Sequence, residues 1–166
     1  MKVYTFLTDG FETVEALAVI DILRRAGIEV ETVSITGNEQ VCSAQNITVK
    51  ADTLFKAQQV RKEDVLFLPG GPGHKQYNEC KPLLKLLEKH HAEGGRIAAI
   101  CAAPSILGHL GILNGKKATA FPGFEKDLTG AEVLTAPVKV VTDGNITTAR
   151  GMGASIEPVS YTHLTL

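Results

Sequence analysis

Tryptophan is absent from the 166 residues, and only 5% are aromatic, so a core must be built mainly from aliphatic side chains. An excess of positive charge is also missing. Seventeen Lys and Arg meet eighteen Asp and Glu, for a net charge of −1. A nucleic-acid or anionic-membrane surface needs concentrated positive charge, so neither partner is expected. No apolar run approaches the roughly 18 residues of a membrane span. The segment Met1 to Gly10 is no signal peptide, because its apolar run is short and Asp9 follows at once. A cytoplasmic protein is expected. Cysteine is scarce: Cys42, Cys80 and Cys101 are odd in number, widely spaced and form no C-x-x-C pair. That argues against a disulfide framework or a zinc site. Internal repeats, low-complexity tracts and linkers are missing too, and the length suits one domain.

What remains is an alternation of buried-type strands and amphipathic helices. Val3 to Leu7 reads as a strand, broken by Asp9-Gly10. A helix follows through Val14, Leu17, Ala18, Ile20 and Leu23, ending at Arg24-Arg25-Ala26-Gly27 with cations in its last turn and Gly at the stop. Glu29 to Ile35 is a second strand, rich in β-branched residues. A β-α-β unit makes these two strands parallel. Gln40 to Lys50 reads as a small hairpin, and Val65 to Leu68 as a strand emptying into Pro69-Gly70-Gly71-Pro72-Gly73. A helix over Pro82–His91 turns Leu83, Leu84, Leu86 and Leu87 inward. Then come a strand over Arg96–Ile100, a helix over Ala102–Leu113, a strand over Lys117–Ala120 and a hairpin over Val138–Thr148. The expected fold is α/β: a flavodoxin-like three-layer sandwich with a mostly parallel sheet. In such folds sites form beyond the carboxyl ends of the strands. Thr8 to Glu15, Pro69 to Gly73 and Cys101 to Pro104 all lie at such ends.

The tail departs from this pattern. A last apolar helix is expected after Glu157, yet Pro158 to Leu166 is polar and non-periodic. Val159 to Leu166 resembles one reading frame of a transposon-end sequencing adaptor. The favoured expectation is a domain over residues 1–157 with its C-terminal helix truncated, and a non-native tail over 158–166. A short natural tail is the alternative.

Cys101 follows Ile97-Ala98-Ala99-Ile100 and precedes a predicted helix. Unsatisfied N–H groups and the helix dipole there are expected to lower the thiol pKa. Small neighbours, Ala102 and Ala103, leave the sulfur approachable, and the placement resembles a nucleophile elbow without the G-x-S-x-G letters. A buried, inert cysteine fits the same residues. Glu15 lies on the inner side of the first helix within an apolar run. Facing Cys101, it would be a neutral carboxylic acid that donates to a thiolate; spacing alone favours a solvated first-turn acid. Glycines let a backbone approach closely, so the amides of Gly71 and Ala102 are the natural pair for an oxyanion site. No Gly-Lys-Ser/Thr follows, which excludes a Walker loop. His90 and His91 end a polar helix face and are expected to be solvated. His109 lies about two turns beyond Cys101, too far to be its base. His74 follows the glycine loop and reaches a pocket rim. No histidine spacing marks a metal site.

Taken together, Asp9-Gly10-Phe11-Glu12-Thr13-Val14-Glu15 with Asp21 and Arg24-Arg25-Ala26-Gly27, Leu68-Pro69-Gly70-Gly71, Ala98-Ala99-Ile100-Cys101-Ala102-Ala103-Pro104 and Thr148-Ala149-Arg150-Gly151 resemble the ThiJ/PfpI superfamily. The nearest subgroup holds the Parkinsonism-associated protein deglycase and its small bacterial relatives. The resemblance implies a homodimer with Cys101 as nucleophile and oxidation-sensitive thiol, and Glu15 as its protonated partner. It implies an oxyanion site at Gly71 and Ala102, and a pocket that includes Gly70, Phe121, Pro122 and Arg150. It implies, without cofactor or metal, action on methylglyoxal or on glyoxal-modified protein and nucleotide amines. A redox-sensing or chaperone role through Cys101 oxidation is the alternative. Thiazole-phosphate biosynthesis is a traditional label for relatives, but no thiazole or phosphate site is evident. Protease-like members carry His directly after the cysteine; Ala102 stands there instead, which argues against a peptidase. Some deglycase members carry His before the Pro of a later loop; here that position is Phe121, which makes the pocket more apolar and removes a proton carrier.

Overall fold

Strand alternation decides the layers. In the computed structural model, which describes residues 1–56 and 60–154, the first strand β1 (Lys2–Leu7) turns Tyr4 and Phe6 to one side and Val3 and Leu7 to the other. Helix α1 (Thr13–Arg25) and strand β2 (Glu29–Ser34) follow, with β1 and β2 parallel in register from Lys2 opposite Glu29 to Leu7 opposite Ser34. A hairpin of β3 (Gln40–Cys42) and β4 (Thr48–Lys50) leads to a two-residue edge strand β5 (Thr53–Leu54). Then come β6 (Val65–Leu68), helices α2 (Lys75–Glu79) and α3 (Lys81–Ala92), β7 (Arg96–Ile100) and helix α4 (Pro104–His109). Short strands β8 (Lys117–Ala118) and β9 (Glu132–Val133) precede the hairpin of β10 (Val140–Asp143) and β11 (Ile146–Ala149).

The main sheet runs β10-β11-β7-β6-β1-β2-β5, parallel throughout except where β10 meets β11. One face packs Tyr4, Phe6, Leu66, Leu68, Ile97 and Ala99 against α2, α3 and α4. The other packs Val3, Leu7, Val65, Phe67, Ala98 and Ile100 with Ala16, Val19, Ile20 and Leu23 of α1. Both faces of a parallel sheet must be covered, which is why its strands read as continuous apolar runs. Among the described residues, no helix is long and apolar enough to cross a membrane. The expected domain limit at 157, the halted last helix and the tail over 158–166 fall outside the described residues.

Several expectations need correction. The helix expected over Ala102–Leu113 is confined to Pro104–His109. Gly111, at φ +70°, takes the left-handed turn that ends it, and the Ile112 N–H closes back on the Leu107 carbonyl at 3.0 Å. The strand expected over Lys117–Ala120 is two residues long and pairs with β9, outside the main sheet. His90 is buried rather than solvated. It falls on the stripe of Leu83 and Leu87, and its Nε2 lies 3.1 Å from the Asp64 carbonyl oxygen. Leu83 and Leu87 are fully buried, whereas Leu84 and Leu86 are only partly so. Val14, the first apolar residue of the helical run, is exposed.

Leu87→Ala is therefore expected to cost ~2–5 kcal/mol of unfolding free energy. Leu84→Ala should cost about 1–2 kcal/mol. Urea denaturation of the two variants checks the difference; equal losses would mean that α3 packs on a wider face than this one.

Candidate active site

The order β7-β6-β1 places three loop starts side by side at one end of the sheet. From β1 the chain moves outward to β2, then returns across the sheet to β6, so the crevice lies where the winding reverses. Loops after β1 and β6 are sewn together there. The Glu12 N–H donates to the Gly70 carbonyl (3.0 Å), the Gly73 N–H to Gly10 (3.0 Å), and the buried Tyr77 hydroxyl to Phe6 (2.9 Å). The β3–β4 hairpin braces the same loop from outside. The Gly10 N–H donates to Cys42 (2.7 Å), the Ala44 N–H to Phe11 (2.9 Å), and the Cys42 N–H to Asp9 Oδ1 (2.8 Å).

Glu15 heads the buried stripe of α1 and is 2% exposed. The solvated reading is therefore wrong: on this helix Glu15, Ala16, Val19, Ile20 and Leu23 all face the sheet. Its Oε2 accepts from the Gly70 N–H at 3.1 Å, its carboxyl also accepts from the Met152 N–H, and it shares a hydrogen bond with Cys101. Cys101 has φ +65°, a left-handed conformation costly for a side chain with a Cβ, roughly 1–3 kcal/mol. That strain projects the sulfur from the turn between β7 and α4, as a nucleophile elbow does. Two bonds hold the turn: the Cys101 N–H donates to Ala149 (2.9 Å), and the Cys101 carbonyl accepts from the Phe121 N–H (2.9 Å). The N–H groups of Gly71 and Ala102 donate to the thiol sulfur, the pairing expected for an oxyanion site. Gly70 is the gap through which acid and thiol meet. A Cβ there would lie 2.5 Å from Cys101 Cβ and 2.6 Å from Glu15 Oε2.

Burial dominates the electrostatics. It raises Glu15 from the ordinary 4.5 to about 7; the hydrogen bond with Cys101 opposes this and the nearby Glu12 charge adds to it. Burial, reinforced by the Glu15 charge, also pushes the Cys101 thiol up to about 12, against the pull of the Gly71 and Ala102 N–H groups. The expected lowering by a helix dipole is thus overturned. The thiol is withdrawn from water, the helix beyond it is six residues long, and a carboxylate stands beside it. The two groups titrate as a pair that carries one charge above about pH 7, and that charge holds back the second proton.

A cavity of ≈ 430 Å³ opens over the pair, lined by Gly71, Cys101, Ala102 and Phe121 among others. Of the expected pocket residues, Gly70 lies between Glu15 and Cys101 rather than in the cavity wall, and Pro122 and Arg150 line a neighbouring cleft instead. His74 also lines the cavity, buried, with its ring edge-on to Phe124 at 5.2 Å. Its Nδ1 lies 2.9 Å from the Gly71 carbonyl oxygen, an acceptor, so Nδ1 carries the proton. Glu12, Phe124 and Met152 line the cavity without having been singled out as pocket residues. Met152 follows the Arg150-Gly151 motif directly, and that proximity was the available signal. Among the described residues, no group of three or more His, Cys, Asp or Glu is placed to hold a metal.

A raised carboxyl is neutral in the fold where it would be charged in the unfolded chain. Its stabilisation is complete below pH 4.5 and is lost as pH rises towards about 7. The wild type is expected to lose roughly 3 kcal/mol over that window relative to Glu15→Gln, which cannot ionise. Denaturation of both proteins at pH 4 to 8 measures this; parallel curves would mean that Glu15 ionises in the fold as it does in the unfolded chain. Gly70→Ala should force the acid and thiol apart, and iodoacetamide labelling of Cys101 against pH reads the change.

The chain is similar to known proteins in sequence and in fold. DJ-1 homolog B of Arabidopsis thaliana is 38% identical over 158 residues, 94% of this chain, which spans only 36% of that relative's length. A deglycase of Pyrococcus horikoshii is 31% identical over 150 residues, 90% of each chain. The crystal structure of oxidized Toxoplasma gondii DJ-1 superposes with a TM-score of 0.89 at 33% identity, covering 96% of this chain and 87% of that one. The DJ-1/PfpI family profile matches residues 1–160, and the chain belongs to that family.

Proposed function

We propose that the protein is a cofactor-independent glyoxalase or deglycase with Cys101 as nucleophile. The observation that carries this reading is the acid–thiol pair itself: a strained, amide-solvated, half-buried thiol hydrogen-bonded to a buried carboxyl whose pKa is about 7. A general base is most effective when its pKa lies near the working pH. Deglycase-named archaeal relatives at 31% identity support the same class of chemistry.

On methylglyoxal, the Cys101 sulfur adds to the aldehyde carbon as the thiol proton passes to ionised Glu15. The carbonyl π-electrons move onto oxygen, beside the Gly71 and Ala102 N–H groups, and protonation gives a hemithioacetal. Glu15, ionised again, then removes the proton on that carbon, and the electron pair shifts through an enediol. Reprotonation at the neighbouring carbon leaves a lactoyl thioester. Water hydrolyses it, releasing lactate and the free thiol. The aldehyde carbon is oxidised and the ketone carbon reduced within one molecule, so no external oxidant or reductant is required. Release from glycated amines would begin by attack of the same sulfur on the same carbon. The reading includes a cytoplasmic homodimer, which sedimentation of the intact protein tests.

A second reading has one supporting observation. The amides and the protonatable carboxyl that would hold an oxyanion would equally hold a Cys101 sulfinate, as in a redox sensor. Lactate production separates the two.

Cys101→Ala is expected to abolish lactate formation without unfolding the chain, while Cys42→Ser and Cys80→Ser stay close to wild type. Activity surviving in Cys101→Ala would sink the enzymatic reading. In the wild type kcat/KM should rise with pH through about 7, as Glu15 becomes able to accept the thiol proton. A profile flat from pH 5 to 8 would remove Glu15 from the proton path.

A further inference from the structure

Arg150 is the expected pocket residue that the Cys101 cavity does not absorb. It lines a second cleft of ≈ 420 Å³ with Pro122, Lys139 and Gly153. Phe121 and Met152 wall both clefts. Gly151 marks the partition: a Cβ there would lie 3.3 Å from the Phe121 ring and 3.5 Å from Glu15 Oε1. The backbone brings the two sites together. Ala149, whose carbonyl anchors the Cys101 N–H, directly precedes Arg150, and the Arg150 N–H donates to the Lys139 carbonyl at 2.9 Å. Two residues with cationic side chains therefore line the cleft that adjoins the Cys101 cavity.

A guanidinium carries five N–H donors in a planar fork. Among the described residues none accepts a hydrogen bond from that of Arg150, and its Nη1 is closed off from water without a partner. Among the described residues, nothing at Nη1 offsets the desolvation of this partly buried guanidinium. Glu125 does feel it. That carboxyl, however, is held low first by backbone N–H groups of its own turn, Glu125 and Gly123, with Arg150 contributing less. Its Oε2 is engaged by the Gly123 N–H at 2.6 Å.

We propose that this second cleft is an anion subsite, in which Arg150, with Lys139 beside it, holds a carboxylate or phosphate at the far end of a substrate whose carbonyl lies against Cys101. The inference rests on the reading of Cys101 as nucleophile and adds to it a preference for aldehydes or adducts bearing a negative group over neutral methylglyoxal. Phe121 and Met152, 47% and 58% exposed, form the apolar saddle that the intervening carbon chain crosses. The planar fork of Arg150 suits bidentate contact with either oxyanion.

The test is a nuclear magnetic resonance titration of the intact protein with inorganic phosphate and, separately, acetate, at constant ionic strength. The amides of residues 150–154 are expected to shift saturably. Arg150→Gln should need about tenfold more anion for half-saturation. Lys139→Gln, a change on an exposed side chain that leaves folding intact, should weaken binding by a smaller factor, and Arg150→Lys should restore part of the loss. Tighter phosphate than acetate points to phosphorylated substrates, and the reverse to carboxylates. Absence of saturable shifts at these amides, or equal half-saturation in the wild type and both glutamine variants, overturns the subsite. Lactate formation from methylglyoxal is followed in parallel. Turnover without anion binding sinks the subsite alone; anion binding without turnover sinks the nucleophile reading and leaves the subsite standing as an anion site.

Discussion

One negative charge shared between a carboxyl and a thiol, shielded from water, is the constraint on which the functional end of this fold depends. Either group alone would be a poor resident of the interior: a buried carboxylate or thiolate shifts its pKa until it is neutral. Together they hold two protons below about pH 7 and one above it, and the neighbouring N–H groups of Gly70, Gly71, Ala102 and Met152 solvate whichever partner is charged. The arrangement is only as good as its spacing. Gly70 is where a single methyl would break it, because the gap between Glu15 Oε2 and Cys101 Cβ has no room for a Cβ. The strain at Cys101 belongs to the same account: φ +65° is tolerated because backbone bonds to Ala149 and from Phe121 hold the turn on both sides.

The rest of the scaffold reads as a means of holding that spacing. Glu15 comes from a helix, Cys101 from a strand end and Gly70 from a loop, and each rides on a different strand of one parallel sheet. Their relative positions are set by the β1–β6 and β6–β7 registers, Val3 opposite Val65 and Val65 opposite Arg96. A one-residue slip in either would turn the apolar residues of a strand to the wrong face, so the core enforces the register and the register enforces the site. The β3–β4 hairpin adds a brace outside the sheet. The isolated bridge between Phe11 and Ser43 and the Thr13 hydroxyl on Ser43 Oγ (2.7 Å) fix the loop from which α1 departs.

The layered fold was legible because buried parallel strands announce themselves as short apolar runs; Val65–Leu68 and Arg96–Ile100 are found where the sequence puts them. Short elements were not. The two residues of β5, or of β9, carry no period, and the hydrogen bonds that define them come from distant strands. The helix after Cys101 was over-extended because Leu107, Leu110 and Leu113 continue a helical rhythm past Gly111, where the backbone turns. Glu15 shows the limit most clearly. A lone acid in a first helical turn is ordinarily solvated, and only its place on the stripe with Ala16, Val19 and Leu23 marks it as buried. The thiol pKa was read in the wrong direction for a related reason: a helix start is visible in sequence, whereas desolvation and a carboxylate brought from 86 residues away are not.

The aromatic ring at position 121 sharpens what this arrangement demands. Phe121 lines the cavity over the thiol and cannot carry a proton. His74 also lines it, but its Nδ1–H is committed to the Gly71 carbonyl and its ring rests edge-on against Phe124. Glu15 is then the group in the cavity that both touches the sulfur and titrates near neutrality. In the proposed chemistry the proton taken from the thiol passes first to that carboxyl, the titrating group hydrogen-bonded to the sulfur. A base with an ordinary carboxylate pKa would be too weak for the first transfer, and one pushed far above neutrality would be protonated when it is needed. Burial of Glu15 under the sheet is thus the physical origin both of its instability as an anion and of its fitness as the proton carrier in contact with the sulfur.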